Sequence, residues 1–180
     1  MARVPYRDPE ELPAEHRDLL YAPMSEQQTV NVFRAIGNNP AVLDSFRKYF
    51  GVLWTEAGLS GRERELVILA TARATDTAYM WHQHVRLSRA LDVDDDAIRA
   101  VSAGEFEALP GREPLLLRYA TAVADGRVDD PLGEAAASAF EPDTVVGITM
   151  LAAGYVAVAR ALSALDVELE DAFVGWALEG

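Results

Sequence analysis

The chain has 180 residues, half of them hydrophobic, and its 29 acidic against 16 basic residues give a formal net charge of −13. That length suits one domain with a buried core and an appended segment. The absence of cysteine excludes disulfides, thiolate metal sites, iron–sulfur clusters and cysteine nucleophiles together, and an acidic chain without a Lys/Arg stripe excludes nucleic acid as a partner.

Nearly every segment reads as helix, and no long alternating run suggests a strand. Residues 1–24, rich in Pro, Glu and Arg, read as an N-terminal arm with a short helical stretch near Pro9–Leu20. The arm is expected to wrap the domain, residues 25–180, or a neighbouring subunit. Thr29–Ile36 is a short amphipathic helix closed by Gly37-Asn38-Asn39. Asn39 then caps a helix opened by Pro40. Its Val42, Leu43, Phe46, Phe50, Leu53 and Trp54 recur at three- and four-residue spacing, and Gly58 ends it. Ser60-Gly61-Arg62-Glu63 is a capping-box pattern before an apolar run through Ala72. A helix so apolar all round belongs at the centre of the fold.

Asp76 is expected to cap the next helix, from Thr77 to about Leu91. Asp94 starts another, stopped by Gly104. Glu113-Pro114 opens one that stops near Gly126, and Asp130-Pro131 precedes an alanine-rich helix to Phe140. Glu141-Pro142 opens a long helix to about Leu165. Its Val145–Leu165 stretch is long and apolar enough for a membrane span, but Gly147, Thr149, Gly154, Arg160 and Ser163 favour a buried, tightly packed helix. Phe173, Val174, Trp176 and Leu178 predict a further turn or two in the tail.

The chemistry concentrates between Arg62 and Val93. The stretch reads Arg62-Glu63-Arg64-Glu65-Leu66, then Ala72-Arg73-Ala74-Thr75, then Tyr79-Met80-Trp81-His82-Gln83-His84-Val85. Met80 and His84 are four apart and share a helix face, with Thr77 one turn earlier. Glu65, on the preceding helix, can hold the His84 imidazole, fix its tautomer and equip it for acid–base work. The same pair also serves a purely structural helix contact. His82 points to a different side of the helix from His84, and His16 sits in the arm. No H-E-x-x-H or H-x-x-E-H pattern is present, so no metal site and no cofactor is expected. Arg73 and Arg160 lie in apolar helices, where a guanidinium needs a partner: a structural carboxylate such as Glu65, or the carboxylate of a substrate. Trp54, Trp81, Tyr79, Phe46, Phe50 and Tyr155 are candidates for a pocket wall or for plain core.

These motifs, in this order and spacing, resemble the carboxymuconolactone decarboxylase-like family, which includes the alkyl hydroperoxidase D-type disulfide reductases. The resemblance extends to Asn38-Asn39-Pro40 through Trp54 and to Tyr155 through Asp171. It implies an all-α, alkyl hydroperoxidase D-like bundle of about seven to nine helices, assembled as a homotrimer or homohexamer. The redox branch carries Glu, eleven residues, Cys, two residues, Cys, three residues, His. Those positions fall on Glu65, Thr77, Met80 and His84 here. Threonine and methionine cannot act as thiols, so peroxidase or disulfide-reductase activity is excluded. Decarboxylase-like members commonly carry glutamate where this chain has Met80.

By resemblance, then, His84 and Glu65 are the expected catalytic residues of a decarboxylase or lyase-type enzyme. Met80, Thr77, Tyr79, Trp81 and Arg73 are the expected substrate contacts, and the substrate is a small carboxylated or lactone compound. The alternative is a non-catalytic binding or structural oligomer of the same fold. Without an apolar leader stretch near the N-terminus, a cytoplasmic location is expected. The excess of carboxylates reads either as ordinary solubility or as adaptation to high salt, where screening relieves repulsion.

Overall fold

The computed structural model describes residues 2–22 and 28–179. Eight α-helices carry the described fold: α1 (Asn31–Ile36), α2 (Pro40–Glu56), α3 (Gly61–Ala74), α4 (Ala78–Ala90), α5 (Asp95–Ala103), α6 (Glu113–Asp125), α7 (Asp130–Ala139) and α8 (Pro142–Leu165). Among the described residues there is no strand, only an isolated bridge between Tyr21 and Thr29.

The boundaries follow local chemistry. Asn39, Ser60, Asp94 and Asp129 each accept a backbone N–H in the first turn of α2, α3, α5 and α7, a contact whose loss typically costs about 1 kcal/mol. Glu63 completes the capping box of α3. Gly104 and Gly126 close α5 and α6 in the left-handed conformation. One expected cap differs: Asp76 does not cap α4. It takes a left-handed turn (φ 50°) between the helices, and Thr77 occupies the cap position without a side-chain cap bond.

Helix α3 is the central element. Residues Glu65 to Ala72 are all buried, and the helix packs on α4, α5, α6 and α8. Helix α8 is long and apolar enough to cross a membrane by length and composition. Here it lies against α2, α3, α6 and α7. Its small residues set the approach: a Cβ on Gly147 would overlap the backbone of Ala57, so the end of α2 and the start of α8 meet backbone to backbone. Arg160, read as an arginine in an apolar helix that needs a partner, is exposed.

The arm lies along its own chain. Pro9–Glu11 and Ala14–Leu20 form 3₁₀ helices, and Leu12 and Leu20 build a second small core with Val30, Phe33 and Leu43. The boundary expected after residue 24 lies outside the described residues. The tail forms no helix among its described residues. It is held instead by side-chain bonds to α4: the Trp81 indole N–H donates to the Gly175 carbonyl (3.0 Å), and His82 Nε2 lies 2.9 Å from Asp171 Oδ1.

Candidate functional site

The hairpin of α3 and α4 brings Glu65 and His84 together. His84 Nδ1 lies 2.7 Å from Glu65 Oε2, and Arg64 Nε donates to Glu65 Oε1 at 2.9 Å. Glu65 is fully buried. Burial alone would raise the Glu65 carboxyl, but the charge and hydrogen bonds of His84, then of Arg64, outweigh it and hold the group below the ordinary carboxylate value. An ionised Glu65 is an acceptor only, so His84 carries a proton on Nδ1. Nε2 is then the working nitrogen, and no described residue bonds to it.

Aromatic rings fix this pair in place. The Arg64 guanidinium stacks over the Trp54 ring, 4.5 Å from its centroid. The Trp54 indole N–H donates to the Tyr155 hydroxyl at 2.9 Å, and Tyr155 stands edge-on to His84 with ring centroids 5.2 Å apart. Burial first, and the Glu65 charge second, push the Tyr155 phenol above its ordinary value, so it remains neutral.

His84 opens on a cavity of about 540 Å³ between the arm, α1, α2, α4 and α8, within the size range of small-molecule sites. Its wall includes Phe46, Phe50, Trp54, Tyr79, Met80 and Tyr155, with Val158 and Leu162 from α8. Tyr79 and Gln83 are tied to the tail: both donate to Glu170, at 2.7 and 2.5 Å. The Val32 N–H donates to the Tyr79 hydroxyl at 3.1 Å. Burial, then the Glu170 charge, raises the Tyr79 phenol.

The expected contacts therefore divide. Met80 and Tyr79 lie on the cavity beside His84, whereas Trp81, Thr77 and Arg73 are not part of its wall. Trp81 faces the other way, packed on Trp176 and bonded to Gly175. Thr77 Oγ1 pairs with Thr75 Oγ1 at 2.9 Å in the α3–α4 turn. Arg73 lies over the Trp176 ring and donates to the Ser102 carbonyl. The carboxylate partner suggested for it, Glu65, is taken by Arg64. Two arginines not singled out in the sequence, Arg47 and Arg86, do line the cavity. Among the described residues no cluster of His, Asp and Glu is arranged to hold a metal ion.

The comparisons bear on the same region. Residues 40–125, from the start of α2 to the end of α6, match the model of the carboxymuconolactone decarboxylase family. Among functionally curated proteins none matches. The fold is similar to an uncharacterized peroxidase-related protein with an alkylhydroperoxidase AhpD core from Ralstonia eutropha JMP134. The TM-score is 0.82 at 21% identity, covering 94% of this chain and 93% of the other. An uncharacterized peroxidase-related protein from Silicibacter sp. TM1040 follows the same fold, with TM-score 0.74 at 20% identity, covering 82% and 80%. So does the debrominase Bmp8, solved in complex with 2,3,4-tribromopyrrole, with TM-score 0.68 at 16% identity, covering 79% and 78%. The segment from α2 to α6, which contains the Glu65–His84 hairpin, is thus similar to the carboxymuconolactone decarboxylase family, and it sits in an AhpD-like fold that extends over almost the whole length of a chain without cysteine.

Proposed function

We propose that the chain is an acid–base enzyme of decarboxylase or lyase type acting on a small carboxylated or lactone compound in the cavity beside His84. The observation that carries this is the buried Glu65–His84 contact, with Nδ1 engaged and Nε2 left on a cavity wall. Glu65 is the positioning residue, and His84 is the group that moves the proton. In a decarboxylation the bond from the ring carbon to the carboxylate breaks and carbon dioxide leaves. The electron pair stays on the ring carbon as an enolate, and the Nε2 proton of a protonated His84 quenches it. Solvent then restores that proton. Met80 supplies no second proton-transfer group, so a single histidine must serve, and the apolar wall favours loss of charge from the carboxylate.

The test is release of carbon dioxide from a panel of carboxylated lactones, with deuterium from the solvent appearing at the product carbon. His84→Gln is expected to abolish both signals with the fold intact. Turnover that survives this substitution would remove His84 from the chemistry. The second reading, a non-catalytic binding member, draws on Met80 itself: it is 2% exposed and apolar, and it supplies neither a thiol nor an acid beside His84. Binding without turnover in the same assay would select it.

The proposal extends to a homotrimer or homohexamer in the cytoplasm of a salt-adapted cell. The exposed Val52, Val146 and Met150 on α2 and α8 and the net charge of −13 support the assembly and the salt adaptation respectively. Light scattering and helicity measured in dilute and molar salt test both. A monomer unchanged between the two conditions would overturn them.

A further inference from the structure

Among the described residues, the wall of the cavity beside His84 holds two arginines, Arg47 and Arg86, and no aspartate or glutamate. This is a local reversal in a chain with 29 acidic residues and a net charge of −13. The two arginines differ in what they already hold. Arg86 is exposed and 3.9 Å from Asp171. Arg47, on α2, is half-buried with its Cζ 4.3 Å from the centroid of the Phe33 ring, and its Nη1 donates to the Tyr21 carbonyl at 3.2 Å. No carboxylate among the described residues reaches it. A guanidinium has five N–H donors in a planar fork, and among the described residues one bond to a carbonyl engages them. Burial holds its pKa below the ordinary arginine value, as for a cation short of a counter-charge. The space beside it is open: Gly51, one turn further along α2 and also in the cavity wall, has no atom within 4 Å of where a Cβ would stand.

We propose that Arg47 is the anion anchor of this cavity and that the ligand is a small organic carboxylate with an apolar ring or chain. The carboxylate takes the free edge of the Arg47 fork. The apolar body lies among Phe46, Phe50 and Met80, with His84 further along the same wall. A planar fork suits a carboxylate through two parallel hydrogen bonds. It also supplies the attraction that an acidic protein otherwise denies to an anion. The inference deepens the proposed function and rests on it only in taking this cavity as the ligand site; it does not need His84 to be catalytic.

The test is calorimetric titration of the full chain with cinnamate and its neutral isostere cinnamamide. The wild type is expected to bind the acid at least about tenfold more tightly, the worth of one good charge-assisted contact. Arg47→Met is expected to remove that preference while leaving cinnamamide affinity within about twofold. Arg47→Lys is expected to keep part of it. Equal binding of acid and amide by the wild type overturns the proposal, and this arm needs no variant to fold. So does a preference that survives Arg47→Met, or no cinnamate binding at about 10 mM. A preserved preference in a protein with no lyase turnover leaves the anchor standing and removes the proposed reaction, so the two failures are distinguishable.

Discussion

His82 and His84 stand two positions apart on α4 and face opposite sides of it. His84 meets Glu65 and the cavity, whereas His82 meets the tail, 2.9 Å from Asp171 Oδ1, with the Val174 N–H donating to its Nδ1 at 3.2 Å. Because Nδ1 accepts from Val174, the His82 proton sits on Nε2 and is donated to Asp171. His82 is therefore a fully bonded neutral ring that fastens the tail.

His82→Ala is expected to destabilise the protein by about 1–3 kcal/mol through the orphaned Val174 N–H and the lost ring contact, and to expose residues 170–179 to proteolysis. Asp171→Asn, on an exposed carboxylate, is expected to cost less than about 1 kcal/mol. Neither is expected to alter carboxylate binding in the cavity more than slightly. Thermal unfolding, limited proteolysis and the cinnamate titration together check this. A tail equally resistant to protease in His82→Ala would show that Trp81 and Glu170 suffice to hold it.

Glu65 makes stability depend on pH in a definite direction. Its folded-state pKa lies below the ordinary 4.5, with burial opposing and the His84 and Arg64 charges prevailing. The group's stabilisation is therefore complete above pH 4.5, shrinks as the pH falls below it and is gone once the folded-state pKa is passed. Glu65→Gln is expected to cost about 3 kcal/mol near neutral pH, the lower end for breaking a buried pair. It is also expected to flatten the stability profile on the acid side. Denaturant unfolding from pH 3 to pH 7 reads both effects, and an unchanged acid slope would remove Glu65 as its source.

How far the sequence carries the fold can be judged from particular residues. The helices were legible because their signals are local: Asn39-Pro40, the Ser60–Glu63 capping box and Gly126 each act within one turn. Asp76 misled because a residue that caps well also turns well, and the short α3–α4 link needs the turn. The tail, expected to add a further turn or two, forms no helix among its described residues because its order comes from distant side chains, the Trp81 indole and the His82 ring, which leave no periodicity behind. At the site, helix phase put Met80 on the His84 face, where it lies, but also Thr77, which pairs with Thr75 in the α3–α4 turn instead; Tyr79, a candidate for pocket wall or plain core, lies on the cavity. Arg73 does not: its long side chain bends to the Trp176 ring and the Ser102 carbonyl, which phase cannot show. Arg47 went unremarked because, in a helix with one polar face, it looks like any solvated arginine until Phe33 and Tyr21 are folded against it.

Two glycines of similar appearance in the sequence should behave oppositely. Gly147→Ala in α8 drives a methyl group into the Ala57 backbone, which cannot swing aside as a side chain can. It is expected to cost about 1–3 kcal/mol. Gly51→Ala in α2 meets nothing within 4 Å and is expected to stabilise by about 0.5–1 kcal/mol through helix propensity. Midpoints of chemical unfolding compare them directly. A Gly147→Ala protein as stable as the wild type would mean that the α2–α8 approach is looser than the backbone contact implies.

Met80→Glu tests what this chain lost or never had. Met80 lies one turn before His84 on α4, 2% exposed, in the cavity wall. A glutamate there enters an apolar site, and burial should raise its pKa above the unfolded value. The cost, about 1–3 kcal/mol, is therefore expected at neutral pH and should fade as the pH drops through that raised value and the carboxyl becomes neutral. The opposite pH trend would mean that the new carboxylate pairs with a cation strongly enough to stay charged. On activity, a second proton-transfer group beside His84 is expected to raise carbon dioxide release from carboxylated lactones above the wild-type rate. A rise that is lost again in Met80→Glu/His84→Gln marks the two groups as partners. A variant that folds, shows the expected pH trend and gains no turnover would place the limit on the substrate, in the Arg47 end of the cavity, rather than on the missing acid.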